Sequence, residues 1–200
     1  MAIRFQYNKT SLQDVNRQLS IREKALPTLK NKESALRYEV SKVKEHIKEL
    51  DSSLEKEINK YDTMVHLWCE FNRNLVEVKD VKYSLRGIAG IKVPVFEEVI
   101  FSTKEMSLVN NPGWFLDGIV ILKDISKLML KRHFMIWTME LLDKTRKKTT
   151  QKVNLYEKVQ IPGYEQAIRK IKRFLEDEEN LSKAAQKIVK KRQVSYGEPE

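Results

Sequence analysis

An apolar residue recurs at alternating steps of three and four from Leu12 to Met64, a pattern that specifies a long helix paired with another helix. One register reads Leu12, Leu19, Leu26, Glu33, Val40, Ile47, Leu54 and Tyr61, and its partner reads Val15, Arg22, Leu29, Leu36, Val43, Leu50, Glu57 and Met64. Thirteen of these sixteen positions are apolar, which is enough to fix the register in spite of Glu33, Arg22 and Glu57. A strict repeat of seven keeps the stripe facing one partner only if the two helices wind around each other with a left hand. Lys, Glu, Arg and Asn fill the faces between the stripes. Thr10 or Ser11 can cap the first helix, with Asp14 near its first turn, and the pattern carries the helix to Trp68 or Phe71. A proline inside a helix removes one hydrogen bond, but the register passes through Pro27 without a slip, so the expectation there is a bend and not a break.

Beyond Leu75 the pattern changes. Val76, Val78 and Val81 alternate with charged residues, and Gly87 to Phe96 and Val99 to Phe101 mix β-branched and aromatic residues with Gly and Pro. Such stretches favour short strands and turns, in the simplest case one hairpin, and this piece is too small to hold a core alone. Asn111-Pro112-Gly113 marks a turn before the chain becomes helical again. The returning helix shows an apolar face at Leu128, Met135, Met139 and Leu142, extended by Thr145, Thr149, Val153 and Tyr156. After Pro162-Gly163 a further seam, Tyr164, Ala167, Ile171, Phe174, Glu178, Leu181, Ala185 and Ile188, is shifted relative to the first, so a kink or register adjustment is expected there. The fold class is therefore mainly α: a long antiparallel two-helix coiled coil with a small middle β-hairpin or helical insertion. Its expected parts are a coiled-coil helix over 8–71, a head with short strands over 72–116, a second coiled-coil helix over 117–192 and a flexible tail over 193–200.

Composition agrees with long solvated helices: a third of the 200 residues are charged, while Gly and Pro number only 6 and 5. The net charge of +10 admits two readings, an acidic partner or plain solvation of exposed helices. Cys69 is alone, which fits a reducing compartment. Met1 to Lys9 has no apolar core of a signal peptide, and the Trp114–Leu122 stretch is too short to span a bilayer. No phosphate-cradling, dinucleotide, zinc-protease or nucleophile-elbow motif occurs, so neither a catalytic residue nor a cofactor is expected. Asp62 and His66, four apart, read as a salt bridge in preference to a metal pair. Trp68, Trp114 and Trp137 are expected to pack where the rod meets the middle piece.

Three stretches carry a family resemblance. Asn8-Lys9-Thr10-Ser11-Leu12, leading to Leu29-Lys30-Asn31-Lys32-Glu33-Ser34-Ala35-Leu36, is similar to the N-P-T-[RK]-x-x-L opening and L-L-K-x-K-R-D-x-L segment of the D subunit of the V-type ATPases. Gly90-Ile91-Lys92-Val93-Pro94 resembles that family's G-[VI]-x-[VI]-P, and Thr149 to Pro162 resembles its T-x-R-R-V-N-A-L-E-x-V-x-I-P. This chain departs from the pattern at Lys9, at Gln151-Lys152, at Leu155-Tyr156, and in having Pro27 and Gly163.

The resemblance implies the central rotor shaft of a V-type ATPase or ATP synthase, a part without catalytic duty that couples ATP hydrolysis or synthesis to H⁺ or Na⁺ transport. It implies the V-type ATPase F subunit, the ring of A and B subunits and a funnel-shaped stalk subunit as partners, and a place on the cytoplasmic face of the membrane. Neither nucleic acid nor a membrane span of its own enters that picture. The motif residues carried over as interface candidates are Asn8, Thr10, Leu12, Gly90, Val93, Pro94, Val153, Asn154, Glu157, Ile161 and Pro162. Leu181, Lys187, Ile188, Lys190 and Lys191, on a seam that outruns a helix starting at Thr10, are candidates for a bearing against the ring. Two rivals remain: a coiled-coil nucleic-acid module, which would use the charge, and a chaperone subunit whose helices are joined through strands.

Overall fold

The computed structural model describes residues 3–104 and 112–196. Helix α1 spans Lys9–Asn59 with Pro27 inside it. A 3₁₀ turn at Asp62–Met64, the short helix α2 (Val65–Glu70) and a second 3₁₀ turn at Arg73–Leu75 lead into strands β1 (Val76–Ile88) and β2 (Ile91–Thr103). Helix α3 (Phe115–Leu155), a π-turn at Tyr156–Gln160 and helix α4 (Ile161–Tyr196) complete the path. The chain gathers into two compact units, one from residues 1–31 with 149–200 and one from 32–148.

In the first unit α1 and α4 pack antiparallel. Val15, Ala167, Ile168 and Ile171 form its core, with Phe5, Leu12, Leu19, Tyr164 and Leu175 around them. The start of α1 is fixed by Asn8, whose Oδ1 accepts the Ser11 N–H at 2.6 Å, while the Ser11 hydroxyl oxygen accepts the Gln6 N–H at 3.1 Å. The cap is thus Asn8 and not Thr10 or Ser11, and Asp14 lies beyond a first turn that carries no acid. Ser11 instead completes a reciprocal arrangement of the capping-box kind, satisfying one donor inside the helix and one ahead of it. Asn8→Ala should cost about 1 kcal/mol, read as faster amide exchange at residues 10–12 with exchange at Ile168 unchanged.

The second unit is built on the pairing of α1 with α3. Leu36, Val40, Val43 and Leu142 close around Val93 of the hairpin, with Ile47, Ile88, Ile91 and Met139 at the margin. Arg132 and Asp51 form an ion pair farther along the same two helices. All but one of the sixteen seam positions of α1 and its continuation are buried or half-buried; Met64 remains 47% exposed because α1 ends at Asn59, well short of Trp68. The same early end explains why Asp62 and His66 form no pair: Asp62 sits in a 3₁₀ turn and His66 in a separate helix, so their spacing of four does not align them.

β1 and β2 pair antiparallel from Val76↔Thr103 to Ile88↔Ile91, with register shifts at Lys79 and Glu97. Only Ala89 and Gly90 remain for the turn, both with positive φ (49° and 78°). That is the demand of a two-residue turn whose twist matches the strands, and Gly90 meets it without strain. At the other end of the hairpin Phe71, Leu75 and Phe115 form a third core with Trp68 and Trp114. Gly118 belongs there for steric reasons, since a Cβ at this position would lie 2.9 Å from the Phe71 ring. Trp137 packs on Tyr83 and Phe134, so the three tryptophans do meet the middle piece as expected. Asn111 lies outside the described residues; Pro112 and Gly113 make the turn into α3, which begins two residues before Asp117. α4 continues to Tyr196, taking in the first residues of the expected tail.

Candidate partner-binding surfaces

The third motif stretch falls on the π-turn. Its extra residue per turn carries the seam from Val153 and Tyr156 to Tyr164, Ala167 and Ile171, which supplies the register adjustment expected near Pro162. Ile161 donates its N–H to the Tyr156 carbonyl, five residues back. Pro162, with no N–H, follows at once, and the wider turn takes the place of the tight one its ring would obstruct. Val153 is buried, and Glu157 is half-exposed and reaches Lys30 Nζ at 2.7 Å. Asn154 is exposed, whereas Ile161 and Pro162 are partly covered.

Arg22, which breaks the apolar seam, earns its place here. Its Nε donates to Gln160 Oε1 at 2.6 Å and its Nη1 to the Gln18 carbonyl and side chain at 2.9 and 2.7 Å. The guanidinium lies 4.5 Å from the Tyr164 ring centre and 5.9 Å from that of Tyr156. Stacking of this kind contributes about 0.5–1 kcal/mol at exposed sites. Neither Arg22 nor Gln160 is among the motif residues, and the signal for them was an arginine on one seam with two tyrosines on the opposing seam. Gly163 has a similar explanation: a Cβ there would approach Ile3 Cδ1 to 3.0 Å, so its lack of a side chain admits the segment ahead of α1.

On the hairpin, Gly90 is exposed at the tip, but Val93 has no exposed surface and Pro94 is buried, its carbonyl accepting the Thr138 hydroxyl at 3.0 Å. Val93 and Val153 therefore present little or no surface of their own in this chain. Among the opening residues Asn8 is the cap, Thr10 is exposed and Leu12 packs into the core of the first unit.

The end of α4 is the reverse case. Phe174, Leu181, Ile188 and Val189 are 45, 72, 55 and 53% exposed, so the apolar stripe continues where α1 no longer covers it. Lys187, Lys190 and Lys191 are exposed beside it, and residues 183–192 hold five basic side chains and no acid. Lys183 pairs with Glu179 at 2.7 Å, and this hydrogen bond holds the Glu179 carboxyl below its ordinary range. Asp143 on α3 is lowered likewise, first by Lys147 and then by Arg146, so its contribution to stability is present at neutral pH and lost as pH falls through its depressed folded value.

Among the described residues no group of three or more His, Cys, Asp or Glu side chains could hold a metal ion, and no helix is long and apolar enough to cross a membrane. The family model for the ATP synthase D subunit matches residues 11–191. The D subunit of the V-type ATP synthase of Borreliella burgdorferi is 28% identical over 184 residues, covering 91% of each chain. Those of Chlamydia muridarum and Chlamydia caviae are 24% and 26% identical, covering 96% and 87% of this chain and 97% and 86% of their own.

Proposed function

This chain belongs to the family of ATP synthase D subunits and is one component of a multisubunit V-type complex, and on that premise we propose that it is the complex's central-stalk rotor shaft. In this reading the helix pairs transmit torque, and ATP turnover in the surrounding A and B subunits is coupled through them to H⁺ or Na⁺ transport. The F subunit and a funnel-shaped stalk subunit are its other neighbours, and the chain sits on the cytoplasmic face of the membrane without crossing it. It supplies no catalytic group. The observation that supports this best is the uncovered end of α4, where Leu181 and Ile188 continue a seam past its partner helix, flanked by Lys187, Lys190 and Lys191. A surface that must face three equivalent ring positions in turn is better served by greasy and basic contacts of this kind than by a fixed hydrogen-bond set. Motif residues with exposed surface, namely Asn8, Thr10, Gly90, Asn154 and Glu157, are the proposed points of contact elsewhere.

Truncation after Asn180 tests it. The α1–α4 core is complete by Leu175, so the shortened chain should keep its fold and its smaller partner. In a reconstituted complex it should lower the number of ions pumped per ATP hydrolysed, or weaken assembly with the ring. The isolated full-length chain should show no ATP hydrolysis. Unchanged coupling and assembly after truncation would remove the bearing role.

A further inference from the structure

The second unit carries a trough that begins beside the motif residues Val93 and Pro94 and runs well beyond them. Its upper hollow, about 630 Å³, lies between α1, α3 and the hairpin, floored by Val95, Phe96, Phe134 and Met135. A second hollow of about 530 Å³ meets it at Phe96 and Lys131 and continues along the same two helices. Glu39 in the upper part and Glu57 in the lower are eighteen residues apart on α1, so the trough runs for roughly 27 Å.

Its two ends differ in charge. Lys42, Arg86 and Lys131 are exposed around the upper hollow and have no acidic partner among the described residues; His46 joins them, already paired with Glu49, and Glu39 is the acid that faces them. The lower end presents Glu57, Glu97 and Asp124 against Lys127 and the shared Lys131, with Glu57 paired to Lys60. A small ligand would fill one hollow and leave the other. A trough of this length with an apolar floor, a net basic lining at one end and a slight excess of acid in the lining at the other complements a stretch of polypeptide.

We propose that this trough docks a segment of another chain of the complex that is acidic at one end, apolar in the middle and basic at the other. Its acidic end lies by Lys42 and Arg86 and its basic end by Glu97 and Asp124. Charge sets the direction of the segment, while Phe96 and Phe134 supply the apolar contact. The inference rests on the rotor reading for the source of the segment, but not for its chemistry.

The test uses the purified, reconstituted complex with a photoreactive benzoylphenylalanine at Met135, at Leu128 or, as a control away from the trough, at Tyr38. Formation of the complex by the unmodified chain is scored first; its absence overturns the rotor reading, and this inference with it. Once the complex forms, adducts from positions 135 and 128 should fall within about eighteen residues of one partner chain. Acidic residues should flank the first adduct and basic residues the second. The exposed triple variant Lys42→Glu, Arg86→Glu, Lys131→Glu should bind that partner at least tenfold more weakly with unchanged circular dichroism. A complex that forms without adducts from the trough, adducts flanked by the opposite charges, or unchanged affinity of the triple variant each overturns the trough assignment alone.

Discussion

Deleting Gln166 should unfold the packing of α4 on α1. One residue lost from a regular helix turns everything beyond it by about 100°. Arg169 then occupies the slot of Ile168, and Lys172 that of Ile171, which has no exposed surface in the native chain. Each isoleucine withdrawn from the core forfeits about 1.5–3 kcal/mol, before the cost of forcing lysine or arginine into its place. Hydrogen exchange across residues 164–175 should lose its protection. Deleting Val159 removes a residue just as surely but from the π-turn, whose surplus it absorbs, so the seam beyond it keeps its phase. The penalty there is that Pro162 enters an ordinary helical turn, costing about 3 kcal/mol. The double change, Val159 deleted with Pro162→Ala, should recover most of it. If deletions at 159 and 166 are equally damaging, the π-turn is not what sets the register of α4.

Leu142→Ala should cost about 3 kcal/mol, the middle of the range for leucines that leave a cavity behind. Leu142 is completely enclosed and touches both the α1 seam and the hairpin residue Val93, so the gap opens where helix–helix and helix–hairpin packing meet. Urea unfolding followed by circular dichroism gives the shift in midpoint. Leu181→Ala, on a seam position 72% exposed, should change stability by less than about 0.5 kcal/mol. Equal losses at the two positions would mean that the end of α4 is covered in the free chain.

These contrasts show what the sequence conveyed. A 3.5-residue repeat records that a residue wants a partner, and Leu36, Val40, Val43 and Leu50 found theirs within the chain, whereas Leu181 and Ile188 did not. The repeat also ran on through Met64 because Tyr61 and Met64 keep its spacing; it does not register that α1 stops at Asn59, after which a 3₁₀ turn, the short helix α2 and a second 3₁₀ turn follow. The hairpin was legible from its β-branched residues and from Gly90, but Ala89 gave no sign of its left-handed conformation. α3 was harder to read than α1, since Phe134 and Thr138 serve the hairpin while Met139 and Leu142 serve α1, and two apolar faces blur into one. Among the candidate contacts, motif spacing could not separate buried residues, such as Val93 and Val153, from exposed ones, such as Thr10 and Asn154. Arg22 looked like a flaw in the seam because its compensation, Gln160 and two tyrosines, lies 138 residues away for Gln160 alone.

That separation governs how the chain must be made. Val15 and Leu19 emerge from the ribosome long before Tyr164, Ala167 and Ile171, the residues that shelter them. At roughly 5–20 residues per second, the first third of α1 waits on the order of ten seconds with its greasy stripe bare. The hairpin can zip from its own tip in that interval, but the opening helix can do no more than flicker until its complement arrives. Newly made copies are therefore most open to capture by holdase chaperones, or by one another, just before the final forty residues appear, and slowing translation across residues 150–175 should lower the soluble yield more than slowing it anywhere before Ile88.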